Sequence, residues 1–111
     1  MSVFANEKSN DDSNQVKGIY GVLPYVAPEV LEGKPYTMPS DIYSFGIIMW
    51  ELASGRPAHC DRPHDVDLQI KIIKGLRPYV YKDFPPCYSD LMTRCWDSDP
   101  NKRPKASEIL S

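Results

Sequence analysis

Eleven prolines in 111 residues set the frame for this chain. Proline removes a backbone N–H and fixes φ, so it is excluded from helix interiors and central strands. The prolines cut the sequence into short pieces and leave little room for long strands. The stretch from Ser40 to Arg56 is free of them. It reads SDIYSFGIIMWELAS and then Gly55, and it is the longest helix candidate, Ser40 to Ser54. Ser40 or Asp41 offers an N-terminal cap, and Gly55 followed by Pro57 offers a stop. Ile42, Phe45, Ile48, Met49 and Leu52 fall on one side of such a helix, with Tyr43, Ile47 and Trp50 on others. A helix apolar on nearly every face belongs in a membrane or at the centre of a globule. This one is too short to span a bilayer and carries Asp41 and Glu51, so the buried reading is preferred.

Shorter elements surround it. Pro28 opens a helix over 28–31, ended by Gly33 and Pro35. A third helix is predicted over 65–74, with Leu68, Ile72 and Ile73 inward. A fourth runs over 89–97, where Tyr88, Leu91, Met92, Cys95 and Trp96 recur at helical spacing. Pro104 opens a fifth. Residues 1–17 are rich in Asn, Asp, Ser, Lys and Glu and read as a flexible polar segment. Residues 18–27 read as an ordered, semi-extended loop, because Gly21 and Pro24 interrupt any strand. The length allows one small domain at most.

Charge and cysteine content exclude several classes. Thirteen Lys and Arg against fifteen Asp and Glu give a net charge of −2, without the basic surplus of a nucleic-acid binder. No apolar run approaches a membrane span, and no secretory leader is visible. Three cysteines in no framework spacing fit a reducing compartment, so an intracellular, cytoplasmic location is expected. His59, Cys60, Asp61 and His64 lie within six positions, but in a proline-rich loop without a cysteine pair. That pattern does not make a structural zinc site, and no metal ligand is assigned.

Four short motifs carry the functional information. They are Ala27-Pro28-Glu29, the run Ser40 to Gly46 (SDIYSFG), Arg94-Cys95-Trp96-Asp97, and Asp99 to Pro104 (DPNKRP). In this order and spacing they resemble the carboxyl-terminal, large-lobe part of a eukaryotic protein kinase domain, Ser/Thr type, of the tyrosine-kinase-like group. The resemblance covers 18–111. It implies a mainly α fold, the end of an activation segment followed by about five helices.

The resemblance also implies roles. Glu29 and Arg103, 74 positions apart, would form a buried salt bridge stapling the activation segment to the helical base. Ala27, Pro28 and Trp96 would be structural with them. Asp41 would accept backbone N–H bonds from a catalytic loop, besides complementing its helix dipole. Gly21, Val22, Leu23, Pro24 and Tyr25 would form the loop that receives the protein substrate beside its phosphorylated residue. Val22 stands where most Ser/Thr kinases carry Thr or Ser; it is near-isosteric but cannot hydrogen-bond. Ser9, Ser13 and Tyr20 are activation-loop hydroxyls if residues 1–20 belong to that loop, though solvated hydroxyls are the simpler reading.

Phosphoryl transfer needs a Gly-rich loop, a strand lysine, a catalytic Asp and Asn, and a metal-binding Asp. The sequence has no G-x-G-x-x-G, V-A-I-K, H-R-D or D-F-G. No catalytic residue and no cofactor site is therefore assigned here, although ATP and magnesium are implied for a complete domain. The expectation is a partial kinase domain, inactive alone, whose partner is a protein substrate or the remainder of the domain. The alternative is a non-catalytic kinase-lobe binding module or decoy. With so few helices to cover it, the central helix should leave a large apolar patch.

Overall fold

The structure is a computed structural model that describes residues 22–110. Among these, a 3-10 turn at Leu23–Tyr25 leads into α1 (Pro28–Leu31), α2 (Met38–Ser54) and α3 (Val66–Ile73). Then come α4 (Pro86–Cys95), a 3-10 turn at Pro100–Lys102 and α5 (Ala106–Leu110). No strand occurs among the described residues. The expectations for 1–21 lie outside them.

Prolines account for most boundary differences. α2 begins at Met38 rather than Ser40, with Thr37 at its N-cap. Pro39 sits inside the first turn, where its missing N–H would have had no intrahelical partner. Ser40 still caps, but from the third helical position: its Oγ accepts from the Thr37 N–H at 3.1 Å. α4 likewise starts at Pro86 instead of Ser89, and it ends at Cys95, two residues before Asp97. α5 starts at Ala106, later than Pro104, and the Glu108 carboxylate accepts from the Lys105 N–H at 2.9 Å. α3 is flanked by Asp65, whose carboxylate accepts from the Leu68 N–H at 3.1 Å.

α2 forms the axis of the main core. Tyr43, Ile47 and Trp50 pack with Ile42 and Met49 against Met92, Cys95 and Trp96. The close approach of α2 and α4 depends on Gly46. A Cβ there would meet Cys95 Cβ at 2.6 Å and Trp96 Cδ1 at 2.8 Å. Gly55, at φ 75°, closes α2 in the left-handed region. A second, smaller cluster joins Leu23 to Leu68 and Ile72 of α3, while Ile73 is only half-buried.

One side of α2 is left uncovered, the apolar patch expected of such a helix with so few others around it. Phe45 is 39% and Leu52 77% exposed, and Ile48 is half-buried. These three recur at i, i+3 and i+7, a second apolar stripe opposite the packed one. The described helices cover one face of α2, and α5 is too short to cover the other. A depression of about 300 Å³ between α2 and α5 is lined by Ile42, Phe45, Ile48, Ala106 and Ile109.

Candidate functional site: the Val22–Glu29 segment and its anchors

Three side chains tie the segment before α1 to the helical base. The first is Arg103, which follows the 3-10 turn at Pro100–Lys102. Its Nη1 donates to Glu29 Oε2 and its Nη2 to Glu29 Oε1, both at 2.8 Å. The Arg103 side chain is fully buried and that of Glu29 is 8% exposed. Arg103 Nη1 also donates to the Pro39 carbonyl and Nε to the Asp97 carbonyl, each at 2.9 Å. Ser40 Oγ adds a bond to Glu29 Oε2 at 3.1 Å. Both ions thus have several partners, the condition under which a buried pair is tolerated. Burial alone would push the Glu29 carboxyl up. The hydrogen bonds and charge of Arg103 overcome it and hold Glu29 below the usual carboxylate range.

Tyr43 lies between two guanidinium groups, Arg77 at 5.1 Å and Arg103 at 5.3 Å from its ring centre. Its phenol is completely buried, and burial pushes it up to about 12. Arg77 is spent on neutral acceptors: the carbonyls of Trp96, Ile72 and Leu76, and Ser98 Oγ.

Tyr25 is the second anchor. Its Oη lies 2.8 and 2.7 Å from the two Glu51 oxygens, and Glu51 also accepts from the Ala58 N–H at 2.8 Å. Burial, with the Glu51 hydrogen bond and charge, raises the Tyr25 phenol to about 12. Ser44 Oγ donates to the Tyr25 carbonyl at 2.6 Å. Leu23, wholly buried against α3, is the third anchor.

The residues assigned from sequence therefore fall into groups. Ala27, Pro28, Glu29, Trp96 and Arg103 are buried in the base. Trp96 packs on Gly46 through its ring, and its Nε1 has no hydrogen-bond partner among the described residues. Asp41 receives the Tyr36 hydroxyl. Leu23 and Pro24 are buried, Val22 and Tyr25 half-buried, and Gly21 lies outside the described residues. The roles of Glu51, Ser44 and Arg77 are not foreseen from sequence. Glu51 alone carried a signal, as the second of two charges in an otherwise apolar helix.

A family profile described as protein tyrosine and serine/threonine kinase matches residues 2–111. The chain belongs to this protein kinase family. It is 34% identical over 109 residues to a probable serine/threonine-protein kinase of Dictyostelium discoideum, covering 96% of this chain and 7% of that protein. It is 37% identical over 108 residues to the serine/threonine-protein kinase STY17 of Arabidopsis thaliana, covering 96% and 19%. Its fold matches a chain of the AtMLKL3 tetramer solved by cryo-EM, with a TM-score of 0.70 and 38% identity over 77% of this chain and 16% of that one. The described helices are those of a kinase large lobe. The kinase chain thus spans less than a fifth of these relatives.

No helix among the described residues is long and apolar enough to cross a membrane. No three His, Cys, Asp or Glu side chains among them converge as metal ligands.

Proposed function

We propose that this chain is the substrate-positioning base of a Ser/Thr protein kinase domain. The segment Val22–Tyr25, with Gly21 before it, receives the protein substrate beside its phosphorylated residue. The observation that carries this reading is the fixed attachment of that segment to α2 and α3. Tyr25 is held at its hydroxyl by Glu51 and at its carbonyl by Ser44, while Leu23 is buried on Leu68 and Ile72. A segment held at both ends presents its backbone in one geometry, which is what orienting a peptide for transfer requires.

The described residues do not fit ATP or magnesium. They include neither a glycine-rich phosphate loop nor a group of converging carboxylates. Catalytic groups are therefore supplied by the remainder of the kinase domain, which also covers the Phe45–Leu52 stripe. ATP and magnesium belong to that complete domain.

The native protein, purified from its source, should transfer labelled phosphate from ATP to Ser/Thr peptides and not to Tyr peptides. Replacing Tyr25→Ala should raise the peptide KM while leaving the ATP KM nearly unchanged. A native protein without transfer, or equal effects on both constants, would overturn the reading.

A further inference from the structure

A cavity of about 410 Å³ lies beside the C-terminal end of α2, lined by residues of the loops at 56–62 and 76–81. Arg56, Arg62 and Arg77 contribute to its walls, opposed by the single carboxylate of Asp61. Such a balance is unusual in a chain whose net charge is −2. An aromatic wall completes it. Trp50 and Tyr81 stack at 6.3 Å, and Tyr79 meets Tyr81 edge-on at 5.0 Å.

The donors are only partly used. Arg77 is engaged by carbonyls and a hydroxyl, so no carboxylate neutralises it directly. Arg56 reaches Tyr81 Oη at 3.3 Å. Arg62 Nε is 3.8 Å from Asp61 and makes no hydrogen bond. His59 also lines the cavity, is 7% exposed, and its Nε2 has no hydrogen-bond partner among the described residues. Buried polar nitrogens without a hydrogen-bond partner, here Arg62 Nε and His59 Nε2, are uncommon in folded proteins.

The loop that carries these groups is coupled to the substrate segment. Glu51 binds the Tyr25 hydroxyl with one end of α2 and holds the Ala58 N–H, next to His59. One carboxylate thus fixes both the floor of the substrate segment and the rim of the cavity.

We propose that this cavity docks an anionic side chain, a phosphorylated residue or a Glu or Asp, of the protein substrate, at a distance from the residue to be modified. This inference rests on the reading of Val22–Tyr25 as a substrate-positioning segment. Guanidinium groups suit the planar, two-point geometry of carboxylate and phosphate oxygens. The aromatic wall suits the apolar stem that carries them.

Fluorescein-labelled peptides test it by anisotropy on the native protein: one with phosphotyrosine, one with glutamate and one with glutamine at the same position. Both anionic peptides, or either one, should bind more tightly than the glutamine peptide. The pair Arg56→Gln and Arg62→Gln should reduce that preference by about tenfold, and Lys34→Gln should not. Because Arg56 is exposed and Arg62 makes only a long ion pair with the exposed Asp61, the melting temperature of the double variant should stay close to the parent's. Arg56→Gln alone provides a second, milder variant. Equal binding of all three peptides, or an unchanged preference in the double variant, would overturn the proposal. Phosphotransfer by the native protein is read separately. An anionic preference without phosphotransfer removes the kinase reading and, with it, the assignment of the docked side chain to a substrate. Phosphotransfer without the preference removes the cavity alone.

Discussion

At the scale of single residues, Glu29 and Arg103 carry the largest stakes. Each is buried and each is the other's two-point partner. Removing either strands a charge in a site that water does not reach. Glu29→Ala or Arg103→Ala should therefore destabilise the chain by about 3–5 kcal/mol. Lys34→Ala, at an exposed position close by in sequence, should change stability by less than about 0.5 kcal/mol. Denaturant melts of the three variants decide this, and equal small effects would refute the staple. The spacing of 74 positions was legible only because two motifs resemble those of a known family. Nothing local in either motif says that the two residues meet.

His59 is a second residue-scale case, and its behaviour is set by pH. Burial, followed by the charge of Arg62, pulls its imidazole from the ordinary 6.5 down to about 4, with Asp61 opposing. Arg77 and His64 push in the same direction as Arg62. The folded state therefore favours the neutral ring, and the unfolded chain takes up the proton first. Stability is fully present above 6.5 and is lost as pH falls towards about 4. Glu29, held below 4.5, adds a loss only at lower pH. The melting temperature should decline through the upper window in the parent. That slope should flatten in His59→Asn, which cannot titrate and tolerates the φ of 55° found there. An unaltered slope would mean that another group governs the transition.

At the scale of elements, proline was the source of both success and error. It marked α1 to the residue, because Pro28 begins a short helix that Gly33 ends at φ 99°. The starts of α2 and α4 lie earlier than the sequence pattern predicts, because Pro39 and Pro86 fall in the first helical turn, where a missing N–H has no intrahelical partner to lose. Helical periodicity gave Met92, Cys95 and Trp96 as a buried row correctly. What it could not give was the partner of that row, since Gly46 identifies itself only by what a side chain there would strike. Gly46→Ala should force α2 and α4 apart against Cys95 and Trp96. A loss of about 1–3 kcal/mol is expected, by the mechanism of overpacking. Gly55→Ala, at φ 75° with nothing within 4 Å, should be destabilising through backbone conformation instead. Tyr25–Glu51 was hidden for a related reason: a tyrosine in a loop and a glutamate in a helix announce no pairing until the fold sets them together.

At the scale of the whole molecule, the question is what an apolar central helix does with two apolar stripes. The stripe of Ile42, Tyr43, Ile47 and Trp50 finds its partners in α4 and in the loop at Tyr79–Phe84. The stripe of Phe45, Ile48 and Leu52 does not, and its Phe45 and Ile48 border the depression against α5. The small number of surrounding helices already implies an uncovered apolar patch on this helix, but periodicity reports how apolar a face is and not which face the chain covers. An uncovered stripe of this kind drives association in water. The 111-residue chain on its own should therefore bind a hydrophobic dye such as ANS and self-associate with rising concentration. Phe45→Glu with Leu52→Glu should reduce both, while leaving the helical circular dichroism in place, since neither side chain belongs to the packed core. Loss of the helical signal in that variant would show instead that the second stripe is already buried in solution and that the chain covers it itself.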